Sequence, residues 1–129
     1  MKIINPPGLP PPRGYSNGVV AEGRMLFVAG QIGWNERSEL VGDRLVDQFD
    51  QALANVLTVV NAAGGGPESI SRMTVFVTDK AQYSAATVEV GERYRARMGR
   101  HYPAMSLVEV KGLLEAGALV EIEATAVIS

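Results

Sequence analysis

The sequence predicts one α+β domain: a mixed sheet in the order β-β-α-β-α-β-β with two helices on one face. Three observations carry this. Two long segments repeat apolar residues at three- and four-residue intervals, several short runs are alternating or continuously apolar, and Gly or Pro clusters separate them. At 129 residues the chain suffices for a single domain, residues 1–129, burying about two thirds of its unfolded surface.

The first segment is Pro6-Pro7-Gly8-Leu9-Pro10-Pro11-Pro12. Prolines lack the amide hydrogens that a ladder or helix needs, so residues 1–13 are expected as a Pro-rich loop. Such a loop crosses the body and delivers Tyr15 to a defined place. Val19-Val20-Ala21 and Met25-Leu26-Phe27-Val28-Ala29 then read as a hairpin turning at Glu22-Gly23. From Gly30 to Gly42 the pattern is loop with at most a short edge strand.

Asp43 to Ala63 is the clearest helix. Leu45, Phe49, Ala52, Leu53, Val56, Val59 and Val60 form one broad apolar face, with Asp43 as N-cap and Gly64-Gly65-Gly66 as the stop. Met73 to Thr78 is nearly all apolar and β-branched, which suits a strand covered on both sides. A second helix is expected over Ala81–Met98, with Tyr83, Ala86, Val90 and Tyr94 on one stripe. Gly91 weakens it by about 1 kcal/mol relative to alanine, which points to close packing there. Ala104–Val110 and Leu119–Ile128 alternate as strands. In the last, Val120, Ile122, Ala124, Ala126 and Ile128 share one face, and Glu121, Glu123, Thr125 and Val127 the other. Met105, Leu107 and Glu109 also share a face, expected here on the side without helices. A mixed apolar and acidic face of that kind suits a partner subunit.

Composition removes several functions. Twelve Lys and Arg against 14 Asp and Glu give a net charge of −2, without the basic surface that binding to nucleic acid phosphates requires. The densest basic cluster, Arg93, Arg95, Arg97 and Arg100, reads as a solvated helix face. There is no cysteine, and the lone histidine, His101, builds no zinc site, so no metal or cofactor is expected. No apolar run reaches the ~20 residues a bilayer span needs, and no signal peptide is visible, so the expected location is cytoplasmic. Gly64-Gly65-Gly66 ends a helix and so makes a poor phosphate cradle. His101 is expected to be structural, and Trp34 to pack under its loop.

Four segments carry a resemblance: Gly14-Tyr15-Ser16, Gly30-Gln31-Ile32, Pro103-Ala104-Met105-Ser106 and Val120-Glu121-Ile122-Glu123-Ala124. In residue types, order and spacing they resemble the Rid family (YjgF-type, RidA-like imine/enamine deaminases) from about Gly14 to Val127. The resemblance implies a chorismate-mutase-like fold assembled as a homotrimer, with a small-molecule cleft at each subunit interface. It also implies hydrolysis of the imine or enamine of a small 2-keto acid to the keto acid and ammonia. Glu121 matches the family's acidic residue near the cleft and is the candidate that positions or deprotonates water. Tyr15 matches an aromatic residue bordering the cleft, and Gly30 and Gln31 match a Ser-Gly-Gln segment whose serine is Ala29 here.

Met105 stands where most catalytic members carry arginine, and Leu107 where many carry cysteine. A thioether cannot pair with a carboxylate. Three readings follow: a less anionic ligand whose apolar part faces Met105 and Leu107; a replacement cation, with Arg13 the best placed because it neighbours Tyr15; or a trimer that binds a metabolite or a protein without turnover. Some relatives have been described as endoribonucleases, an activity that the acidic balance and the single histidine argue against.

Overall fold

The computed structural model describes all residues, 1–129. In chain order the strands are β1 (Lys2–Ile4), β2 (Gly18–Val20), β3 (Arg24–Ile32), β4 (Ile70–Val77), β5 (Ala104–Glu109) and β6 (Val120–Ile128). The helices are α1 (Leu45–Ala62), α2 (Lys80–Ala85) and α3 (Thr87–Met98). The main sheet runs β3-β6-β4-β5. Its β4–β5 pair is parallel and the other two pairs are antiparallel, so the sheet is mixed as expected. The parallel pair is possible because α2 and α3 make the long crossover between its strands.

All three helices lie on one side. Leu45, Phe49, Leu53, Val56 and Val60 of α1 join Met73, Val75 and Val77 of β4 and Val120, Ile122, Ala126 and Ile128 of β6 in one buried cluster. Val90, Tyr94 and Met98 of α3 complete it. Gly64, at φ +90, ends α1, and the Gly65 N–H donates to Val60 O at 3.0 Å. Across the helices, Arg97 Nε donates to Asp50 Oδ1 at 2.7 Å, and Arg93 Nη1 to Asp50 Oδ2 at 3.1 Å. The Arg97 hydrogen bond leads the causes that hold the Asp50 carboxyl below its ordinary value. Gln48 is fully buried. Its Nε2 donates to Gly42 O and Gly117 O, and its Oε1 accepts from the Leu119 N–H, so one amide closes three segments.

Several expectations change. The N-terminal segment is not all loop: Lys2–Ile4 forms β1, and β2 pairs with it instead of forming a hairpin with β3. Gly23, at φ +146, still turns the chain, and a Cβ there would lie 2.4 Å from Ile128 O, so the turn rests against the end of β6. Asp43 is not the N-cap. Arg44 occupies that position without a side-chain cap, and Asp47 supplies the negative charge in the first turn. The second helix divides at Ala86 (φ −107, ψ 9), where Thr87 Oγ1 donates to Ser84 O. Asp79 caps the first half by accepting from the Ala81 and Gln82 N–H groups.

Met105, Leu107 and Glu109 do share a face, but it is the helix face. Register aligns Met105 with Met73 and Leu107 with Val75, both fully buried under the helices. Glu109 accepts from the Lys80 N–H at the start of α2. The uncovered face instead presents Met25 and Phe27, 61% and 73% exposed, with Glu121 and Glu123.

Candidate functional site

A cleft of about 730 Å³ opens on the helix side of β5. Its floor is Met105 and Leu107, its long wall is α2 and α3 with Tyr83, Thr87, Val90, Gly91, Tyr94 and Arg95, and its outer wall is Arg13-Gly14-Tyr15. The N-terminal loop reaches this place through Ser16. The Ser16 N–H donates to Pro103 O at 3.0 Å, its hydroxyl donates to Tyr102 O, and it bridges Ala104 in parallel register. Gly14, at φ +75, makes the bend that brings Tyr15 over the cleft.

Aromatic groups brace the inner wall. Tyr94 and Tyr102 stack with centroids 5.4 Å apart, and the Tyr94 hydroxyl donates to His101 O at 2.7 Å. Burial pushes the Tyr83 hydroxyl up, and burial with the neighbouring Tyr102 and Tyr83 pushes Tyr94 further up. Both stay neutral near neutral pH, and neither is a base. His101 donates from Nε2 to Ile70 O at 2.6 Å, so it is a structural brace. No carboxylate lines the cleft. Its polar chemistry is two guanidiniums and several hydroxyls.

The expected site residues therefore fall into two places. Arg13, Tyr15, Met105 and Leu107 come together at the cleft. Glu121 lies on the opposite face of the sheet, in register with Phe76. Gly30 stays with Glu121: a Cβ at position 30 would lie 2.7 Å from the Glu121 carboxyl carbon, so the glycine makes room for that carboxylate. Gln31 follows on β3, its amide donating to Ala29 O at 3.2 Å. Trp34 bridges Leu40, and its carbonyl accepts from Asn55 Nδ2, which steadies the loop after β3.

The sequence reading missed Arg95 and Tyr102 as cleft residues. Arg95 was hidden in a basic cluster, two of whose members, Arg93 and Arg97, pair with Asp50 across α1. Gly91 was the available signal, since an unfavourable glycine in mid-helix marks a close approach.

Comparison with known proteins agrees with this frame. Residues 8–128 match the family described as Endoribonuclease L-PSP. A 2-iminobutanoate/2-iminopropanoate deaminase of Dermatophagoides farinae is 31% identical over 128 residues, covering 98% of this chain and 96% of the relative. A Rid family protein of unknown function from Yersinia pestis superposes with a TM-score of 0.85 at 36% identity, covering 98% of each chain. TdcF of E. coli, solved with bound serine, gives a TM-score of 0.72 at 35% identity over the full length of both chains. No helix is long and apolar enough to cross a membrane. With its mixed sheet, one-sided helices and near full-length matches, the chain belongs to the Endoribonuclease L-PSP family, the Rid/YjgF group of proteins.

Proposed function

We propose that this protein is a Rid-type hydrolase that deaminates a small imine or enamine in a cleft completed between the subunits of a homotrimer. One observation carries the reading: a single protomer holds the binding walls on one sheet face and its candidate base, Glu121, on the other. The open face, where Phe27 and Met25 are exposed on the same side of the sheet as Glu121, gives a second copy somewhere to dock. Docking there sets one subunit's carboxylate against its neighbour's cleft. Gly30 keeps that carboxylate close to the backbone, and Gln31 borders it.

The chemistry asks little. An enamine first takes a proton at carbon and gives one up from nitrogen to become the imine. Glu121 then accepts a proton from water as the water oxygen bonds to the imine carbon, giving a carbinolamine. That proton passes to nitrogen; Glu121 then takes the hydroxyl proton and delivers it to nitrogen as the C=O bond forms and the C–N bond breaks, so ammonia leaves a keto compound. Met105, in place of the arginine that the resemblance implies, and Leu107 make the floor apolar, so the ligand's hydrocarbon part rests there.

A second reading, a metabolite-binding trimer without turnover, is favoured by the absence of any carboxylate from the cleft of one protomer. One experiment separates the two. With 2-iminopropanoate generated in situ, wild-type protein is expected to speed ammonia release, and Glu121→Gln to lower kcat about 100-fold, typical for loss of a general base. Equal rates in the two proteins remove Glu121 from the mechanism. No acceleration by wild type leaves the binding module.

A further inference from the structure

The cleft is walled by two guanidiniums with nothing negative among its lining residues: Arg13 from the N-terminal loop and Arg95 from α3. Every ion pair in the chain is built on Arg44, Arg93 or Arg97, so neither cleft arginine is neutralised. The contrast along α3 is sharp. Arg93 and Arg97 turn towards α1 and its aspartates. Arg95, about 200° around the helix from Arg93, turns away from them. One helical turn before it is Gly91, where a Cβ would lie 3.1 Å from Arg95 Nη1. The guanidinium is folded back over the bare backbone of a glycine that also lines the cleft. Glycine in mid-helix is less favourable than alanine, so its presence asks for a reason, and the seated guanidinium is one.

We propose that Arg95, seated over Gly91, binds together with Arg13 the carboxylate of the ligand, a small oxo or imino acid whose hydrocarbon part lies on Met105 and Leu107. This rests on the reading above that the cleft is the substrate site, and it adds the ligand's charge and orientation. A guanidinium fork matches a carboxylate bidentately, and two unpaired ones make the cleft electropositive. The floor at β5 is apolar, so the anionic end of the ligand points towards α3 and the loop, and its carbon chain towards the sheet.

The test is isothermal titration of the full chain with 4-methyl-2-oxopentanoate and with its uncharged methyl ester. Wild type is expected to bind the acid at least tenfold more tightly than the ester. Arg95→Gln is expected to weaken the acid about tenfold or more while leaving the ester unchanged, as loss of a charged hydrogen-bond donor predicts. Arg13→Gln follows in the same direction, and Arg95→Lys falls between. Gly91→Ala is expected to raise Tm yet weaken the acid several-fold, because the added methyl displaces the guanidinium. The proposal is overturned if wild type fails to bind the acid in the millimolar range, if acid and ester bind equally, or if Arg95→Gln binds the acid as wild type does. Acid binding that depends on Arg95 without any ammonia release upholds this proposal and ends the deaminase reading. Ammonia release untouched by Arg95→Gln does the reverse.

Discussion

The two faces of the β3-β6-β4-β5 sheet differ more than alternation alone requires. Beneath the helices, Ile122, Val75 and Met73 are fully buried, and every neighbour is supplied by the same chain. On the other side, Phe27 is 73% exposed, opposite Thr125 of β6 and close to Glu123. The covered face specifies the fold. The open face holds an acid and large apolar groups that a lone protomer leaves without a partner, which is the composition of a contact surface. Sequence patterns describe the first kind of face completely, because its partners lie in the same string. They describe the second only by what is missing.

Paired truncations break or sharpen this contrast. The largest effect is expected from Ile122→Ala on the covered face, a loss of about 3 kcal/mol by denaturant titration, since a cavity opens among fixed neighbours. Phe27→Ala, measured in dilute protein, is expected to change protomer stability by less than about 0.5 kcal/mol. Equal losses for the two erase the distinction. Next comes Phe27→Asp, which places a charge in the proposed contact and should shift the sedimentation coefficient to that of a single chain without altering the circular dichroism. Unchanged sedimentation refutes the open face as the assembly surface.

A modest effect concerns the ion pairs that join α3 to α1. Asp50→Asn should cost about 1 kcal/mol at neutral pH, a modest figure because the Arg93 and Arg97 side chains are 40% and 36% exposed. The folded carboxyl titrates below its ordinary 3.8, chiefly through its hydrogen bond from Arg97. Its stabilisation is therefore fully present above about pH 4 and fades as pH falls through the folded value. The gap between wild type and variant should close with acid. A gap that widens below pH 4 contradicts the pairing.

The partition of β6 into Val120, Ile122 and Ala124 against Glu121 and Glu123 was legible, because period-two alternation needs no long-range information. So was the apolar stripe of α1. Alternation also grouped Met105 with Leu107 and Glu109 correctly. It could not say which side the group faces, since that depends on the parallel register of β5 with β4. The pairing of β1 with β2 escaped for a similar reason: thirteen residues of loop separate two three-residue strands, and neither has a pattern of its own. The break at Ala86 lay within continuous helical periodicity and is made by a hydroxyl of Thr87. At the site, Tyr15 and Arg13 were found from the resemblance and their adjacency. Arg95 needed the geometry, since four arginines in eight residues look alike until their partners are known.

The loop that carries Arg13 and Tyr15 is fastened to the end of β5 by polar bonds of Ser16 to Tyr102 and Pro103, with little apolar anchoring of its own. Warming should therefore loosen this strap before the interior melts. Ligand capture would then fade at temperatures where the far-ultraviolet spectrum still reports an intact protein.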